Sequence, residues 1–421
     1  MKVLWVSNLI AAEGENLADP TRATYGGWIA NMLAALAATG AHDLSLLVRC
    51  PGTRRLVLAR HNGVAHLYVP TRGGTFEPTA LRAALTLAAP DTLHIEGAEM
   101  AHAADAAEAF DGPVVVSVQG VVHGLAPYEY GGLPVARWAL GWHRPARALT
   151  ATAMIAARSL RFRPRLAAER RTMARADRVV GRTVWDRAFA AELAPGVPYR
   201  HVARILRPAF HAAPAAAPVP HRLFLGNAHH ARKGAHIVVA ALAMLRRRYP
   251  DAHLAIAGAP PTRAWRDRIG YRAELMRQIE AAGLVGAVRY TGLLDAERMA
   301  AEMLRADVVV VSSLIENSPN TLGEAMMLGR PIVCAYAGGA PDMAAPDREA
   351  LFYRAREPVG LAHQVGRLFD DRALAARLGA AASARARRTH DPATNRDALL
   401  ALYAEIAAGT TRAAPATRLA A

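Results

Sequence analysis

The sequence predicts an α/β protein made of two doubly wound domains that face a central cleft. Three observations carry this. Short apolar runs with strand character alternate with helical segments through both halves of the chain. A Pro/Ala-rich stretch without periodicity, residues 208–221, separates the two series. The length, 421 residues, exceeds what one ordinary core accommodates.

The first series opens with a strand over residues 2–6. A helix over 28–38 follows, stopped by Thr39-Gly40, and then a strand over 44–48. Strands are expected at 92–95, 114–118 and 178–181. Residues 134–178 read as helical and basic, divided into pieces by Pro145 and Pro164. The second series has strands at 222–226, 253–258, 288–290, 308–311 and 332–335. Helices over 236–249, 272–282, 295–304 and 321–328 lie between them. The domains are therefore expected at 1–207 and 222–385, joined by the linker 208–221. A helix within 386–407 is expected to pack back on the first domain, and 408–421 to form a disordered tail.

Composition narrows the class. Apolar residues make up 52% of the chain and aromatic residues 6%, as suits a globular α/β protein. Cys50 and Cys334 fall in or beside apolar runs and give no disulfide framework, so a reducing, cytoplasmic setting is expected. The first ten residues read as a strand and not as a secretory signal, and no apolar window is long enough to span a bilayer. The net charge of +16 is almost wholly arginine, since Lys2 and Lys233 are the only lysines. Such a charge favours phosphates, nucleotides and acidic lipid surfaces. A basic nucleic-acid-binding protein is one alternative. The sequence lacks zinc-ligand spacing, aromatic RNA-binding motifs and a clear basic recognition helix, so no nucleic-acid partner is expected.

The most informative stretch is 306–343, a strand–turn–helix–strand unit. Glu316 stands where the first strand ends, and Glu324, after seven intervening residues, stands about one turn into the helix. Ligands of open α/β sheets bind beyond the carboxyl ends of strands, and helix starts attract phosphate. This arrangement suits a nucleotide joined to a polyol. Lys233-Gly234 open a second helix, after the strand ending at Gly226. In so lysine-poor a chain, a lysine there suggests a site shaped around one phosphate oxygen. Arg232 is open between a second phosphate contact and a solvated charge. Tyr25-Gly26-Gly27 precede the first helix and read equally as a tight turn or as a close approach to a ligand. Polar residues end two further strands: His94, Glu96 and Gly97, then Ser117, Gln119 and Gly120, with His123 just beyond. Each is as readily a satisfied polar group as a ligand. Gly338-Gly339 place bare backbone at another strand end.

Taken in order, these pieces resemble the retaining GT-B glycosyltransferases of family 4, whose two domains are Rossmann-like. The motifs are Gly226, Lys233-Gly234, Gly258, Gly292, the strand 308–312 ending in Ser312, Glu316 with Glu324, the segment 329–333, and 338–342. The resemblance covers 222–345 most fully and 1–206 by order and spacing. It implies a metal-independent enzyme without cofactor. That enzyme moves a sugar from a UDP- or GDP-sugar to a hydroxyl of a glycan or lipid-linked acceptor, in cell-surface polysaccharide or glycolipid assembly. Glu316 would hold donor-sugar hydroxyls and Glu324 the ribose. Lys233, with backbone N–H groups around Asn320, Thr321 and Leu322, would neutralise the diphosphate. Gly26, Gly27, Gly226, Asn227, Arg232 and Ser318 would complete the donor site. His94, Glu96, Gln119 and His123 would line the acceptor side.

Three positions depart from the family pattern. Asn227 stands where arginine is usual, Gln119 where many members have histidine, and Asp342 where glutamate is commoner. The chain contains no Asp-x-Asp pair, in keeping with a helix dipole and a lysine serving instead of a metal. A sugar-nucleotide epimerase is the enzymatic alternative. A phosphorylase would need a lysine for its pyridoxal group, and only Lys2 and Lys233 exist. In 134–178, Trp138, Trp142, Leu149, Ile155, Leu160 and Phe162 intermix with arginines. They form either helices packed on the sheet or a face for an anionic membrane surface at the inner leaflet.

Overall fold

The computed structural model describes residues 1–10, 27–51, 53–133, 145–213, 216–260 and 270–409. Its contacts divide the chain into two compact units. Unit 1 comprises Met1–His123, Arg163–Leu206 and His390–Ala421, and unit 2 comprises Gly124–Phe162 and Arg207–Thr389. This differs from contiguous domains of 1–207 and 222–385. Residues 124–133 pack with the second unit, and the helix Pro145–Ala174 runs through the boundary at 162/163. That helix also passes Pro164 unbroken, contrary to the expected division there. A proline removes one N–H and crowds one carbonyl, which a long helix can absorb as a local distortion.

Unit 1 is built on β1 (Lys2–Ile10), β2 (Asp43–Pro51), β3 (Val57–His61), β4 (Val64–Arg72), β5 (Thr75–Phe76), β6 (Thr92–Glu96), β7 (Val114–Ser117), β8 (Arg178–Gly181) and β9 (Tyr199–His201). Among the described residues they form one sheet in the order β3-β4-β2-β1-β6-β7-β8-β9, with β5 on β4. Pairing is parallel except at β3–β4 and β4–β5. The β3–β4 hairpin turns at Asn62-Gly63, both at positive φ (49° and 82°), which suits a two-residue primed turn.

Successive residues of β1 feed opposite cores. Val3 and Trp5 join one apolar cluster, Leu4 and Val6 the other. A strand buried on both faces is what helices on both sides of a parallel sheet require. The last helix, Pro392–Ala407, supplies Leu399, Leu402, Tyr403 and Ile406 to the first of these clusters. Asn395 Oδ1 accepts a hydrogen bond from Ala203 N at 2.7 Å. Residues 410–421, read as a tail, lie outside the described residues.

Unit 2 contains β10 (Arg222–Leu225), β11 (His253–Ile256), β12 (Val288–Tyr290), β13 (Val308–Val311), β14 (Ile332–Tyr336) and β15 (Leu351–Arg354). The order is β12-β11-β10-β13-β14-β15, every pairing parallel. By sequence this is 3-2-1-4-5-6, with the direction of winding reversing between β10 and β13. In such sheets the crevice beyond the carboxyl ends at that reversal is where ligands bind. The stretch read as an irregular linker contains a short helix, Pro208–Ala212. It is started by Pro208 and anchored by Phe210, only 2% exposed.

Candidate functional site

β10 and β13 both deliver their loops to the reversal point. After β10, the chain passes Gly226 and Asn227 to a short 3-10 turn, Ala231–Lys233, then Gly234 opens the helix Ala235–Leu245. After β13 come Ser312, Ser313 and Glu316, then the helix Asn320–Met327. The two loops are stitched together. Ser312 Oγ donates to Lys233 O at 2.7 Å, and Leu314 N donates to Arg232 O at 2.7 Å. Gly234 has φ +74°, and a side chain there would overlap the Ser312 carbonyl. The loop after β14 supports the same place. Gly339 N donates to Glu316 O at 3.0 Å, and Gly338, at φ +54°, lies against that carbonyl with no room for a Cβ.

The stitching brings Lys233 Nζ and the Glu316 carboxylate into an ion pair, with side chains 22% and 19% exposed. Ser313 Oγ donates to the same carboxylate oxygen at 3.2 Å. Burial pushes the Glu316 carboxyl up. Lys233, through charge and hydrogen bond, with Arg232 and Ser313, outweighs that and holds it below its usual range. Glu316 is thus an ionised acceptor at neutral pH beside the Lys233 ammonium.

Glu324 sits within the Asn320–Met327 helix, with a side chain 6% exposed, and is held by Arg207. Both Nε and Nη2 of Arg207 donate to Glu324 Oε1, at 3.1 and 2.8 Å. The helix starts after Pro319, which makes no side-chain cap hydrogen bond, and its first residues are Asn320, Thr321 and Leu322. Gly226 lies beneath it, where a Cβ would come within 2.8 Å of Thr321 Cγ2. Ser318 is buried. Arg232 is engaged by the buried Glu129, Nη1 to Oε2 at 3.1 Å. Asn227 turns inward on its own loop, its Oδ1 accepting from His229 N at 2.9 Å. Glu129 and Arg207 carry no local sequence signal, because their partners lie 103 and 117 residues away.

In unit 1 the residues expected on the acceptor side separate. His94 is a core residue and not a lining one, being fully buried on β6. The Tyr403 hydroxyl, which accepts from Trp5 Nε1 at 3.0 Å, donates to His94 Nδ1 at 2.5 Å. His94 Nε2 then donates to Ser117 Oγ at 2.7 Å. Burial takes its pKa down to about 3, so the ring is neutral. Glu96 is buried and bonded by Gln119, which Arg204 bonds in turn. Burial raises the Glu96 carboxyl against the opposing pull of Arg182 and Arg204.

His123 is held by the buried Glu169. That carboxylate accepts from His123 Nδ1 at 2.5 Å and from the backbone N of Val122 and His123 at 2.8 and 3.0 Å. Arg170 Nε donates to His123 Nε2 at 3.0 Å. The sequence also gave no sign of Glu99, which burial pushes up to about 7. Gly26 lies outside the described residues; Gly27 is the first residue of the helix Gly27–Ala37. Among the described residues, no group of three or more His, Cys, Asp or Glu is arranged to hold a metal ion.

Residues 219–371 match the family model described as Glycosyl transferases group 1. The chain is 32% identical over 169 residues to a glycogen synthase of Mycobacterium tuberculosis, a span covering 40% of this chain and 38% of that one. It is 29% identical over 157 residues to a GDP-mannose-dependent alpha-(1-6)-phosphatidylinositol monomannoside mannosyltransferase of Mycolicibacterium smegmatis, covering 36% and 39% of the two chains. The chain thus spans less than two-fifths of the length of these curated relatives.

Solved structures extend the likeness to nearly the whole chain. Sucrose-phosphate synthase from Thermosynechococcus elongatus aligns at TM-score 0.69 and 17% identity, over 97% of this chain and 100% of that one. Anabaena HepE in complex with UDP aligns at 0.67 and 16%, over 96% and 100%. The fold is that of the GT-B glycosyltransferases, and the match to the group 1 family model lies within its second half.

Proposed function

We propose that the chain is a retaining glycosyltransferase of family 4, moving a sugar from a nucleoside-diphosphate sugar to a hydroxyl acceptor without a metal. The observation that carries this reading is the Lys233–Glu316 pair, held at the reversal of the second sheet beside the start of the Asn320–Met327 helix. It lies inside the segment matched by the group 1 family model.

The diphosphate of the donor would face the helix start and draw the Lys233 ammonium to itself. The negative charge that develops as the sugar–phosphate bond breaks is stabilised there by groups already in place. Glu316, released from part of its ion pair, accepts hydrogen bonds from donor-sugar hydroxyls. Glu324 accepts from the ribose. The acceptor oxygen attacks the oxocarbenium-like carbon on the face the phosphate leaves. Its proton passes to the departing phosphate oxygen, and the anomeric configuration is kept. Relatives named for GDP-mannose and neighbours solved with UDP support a GDP- or UDP-sugar donor. Asn227 and Arg232 are engaged within the protein, so their part in donor binding is secondary to that of Lys233.

A glycan or lipid-linked acceptor, in polysaccharide or glycolipid assembly at the inner membrane face, fits the charge of the chain. No described helix is long and apolar enough to cross a membrane. Leu149 and Leu160 are 77% and 58% exposed on the arginine-rich helix Pro145–Ala174, which supports peripheral contact with anionic lipid. The function is tested by incubating the protein with UDP-, GDP- and ADP-sugars and acceptor mixtures in EDTA. One donor is expected to release its diphosphate with a product of unchanged anomeric configuration by NMR, and Glu316→Ala to abolish transfer. Absence of turnover with every donor, or an inverted product, contradicts the reading.

A further inference from the structure

Arg207 stands at the entry to unit 2 and is held from three sides. Pro208 confines its backbone to extended geometry, φ −61° and ψ 140°. Its guanidinium lies 4.9 Å from the centre of the buried Phe210 ring. Its Nε and Nη2 converge on one oxygen of Glu324. The helix Pro208–Ala212 packs against the helices Ala296–Leu304 and Asn320–Met327, so this frame is part of the unit's own packing.

We infer that Arg207 is the positioning residue for ribose recognition, anchoring the Glu324 carboxylate through one of its oxygens. The inference rests on the proposal that Glu324 meets the ribose. A ribose cis-diol offers two hydroxyl donors. An ionised carboxylate accepts both, whereas a protonated one keeps a donor of its own and accepts less. Guanidinium stays charged and presents a rigid fork, which sets orientation as well as charge. The diphosphate is the concern of Lys233, so Arg207 acts on the sugar of the nucleoside alone.

The test is calorimetric titration of UDP, GDP and ADP, each against its 2′-deoxy counterpart, into the wild type, Arg207→Ala and Arg207→Lys. The wild type is expected to prefer the ribonucleotide about tenfold, the scale of one charge-assisted hydrogen bond. In Arg207→Ala the ribonucleotide weakens toward its deoxy counterpart, whose own affinity is little changed, and the ratio falls toward one. Arg207→Lys keeps the charge without the fork and is expected to show an intermediate ratio. It also serves if the alanine variant does not fold. A full wild-type ratio in either folded variant overturns the inference, as does a wild type that binds a nucleotide without preference. A wild type that binds none of the three diphosphates overturns the functional proposal itself.

Discussion

Glu99 carries a carboxyl that burial pushes up to about 7, with Asn8 Nδ2 donating to it at 3.3 Å. Its folded pKa lies above the unfolded one. Both states are protonated well below pH 4.5; between that and pH 7 the folded state keeps a proton that the unfolded state loses. Stability therefore falls as pH rises through this window and levels off above it. Glu99→Gln, neutral throughout, is expected to gain up to ~3 kcal/mol on the wild type in denaturant melts at pH 8.5, and little at pH 4.5. Equal differences at both pH values would contradict this.

Legibility at this scale followed partnership. Lys233 could be singled out by its rarity, and Glu316 and Glu324 by their spacing. His94 read as a site candidate because it is polar and ends a strand. Its satisfying partner, Tyr403, is 309 residues away, beyond the reach of any local pattern.

At the scale of elements, three strand-end loops converge on Glu316, and Gly338 is the closest approach among them. Gly338→Ala must leave φ +54° or push the Glu316 carbonyl aside, a strain of about 1–3 kcal/mol. Transfer is expected to fall at least tenfold in steady-state assays, about 1.4 kcal/mol of barrier, with a smaller loss of thermal stability. Wild-type kcat/KM would show that the loop does not set the carboxylate.

The last helix makes its own prediction. Tyr403→Phe removes the hydroxyl that joins Trp5 and His94, and is expected to cost about 1–3 kcal/mol by chemical denaturation. A neutral effect would mean that the buried bonds are replaced. The parallel strands were legible because they are short, apolar and β-branched. Asn62-Gly63 announces the β3–β4 hairpin by its turn chemistry, yet a search for βα alternation passes over it. The helix Ala101–Glu108 is alanine-rich, with little contrast between its faces. Pro208–Ala212 sits in a Pro/Ala-rich context that masks the single anchor Phe210.

For the molecule as a whole, the doubly wound class could be read from the alternation of strands and helices. The placing of residues 124–133 could not. Residues 124–133 join unit 2 through Tyr130 and Leu133, which pack on Ala231 and Tyr271, and through Glu129 on Arg232. Such pairings depend on tertiary proximity and leave no periodic trace. Both sheets reverse their winding at the first strand and its later parallel neighbour, and the second places its only lysine and a held glutamate there.

The measurement that bears most directly on the account is calorimetric binding of UDP, GDP and ADP in EDTA, for the wild type and Lys233→Ala. One diphosphate is expected to bind the wild type without metal, and to bind Lys233→Ala at least tenfold more weakly, about 1.4 kcal/mol. No binding by any of the three, or equal affinity in the variant, would contradict it.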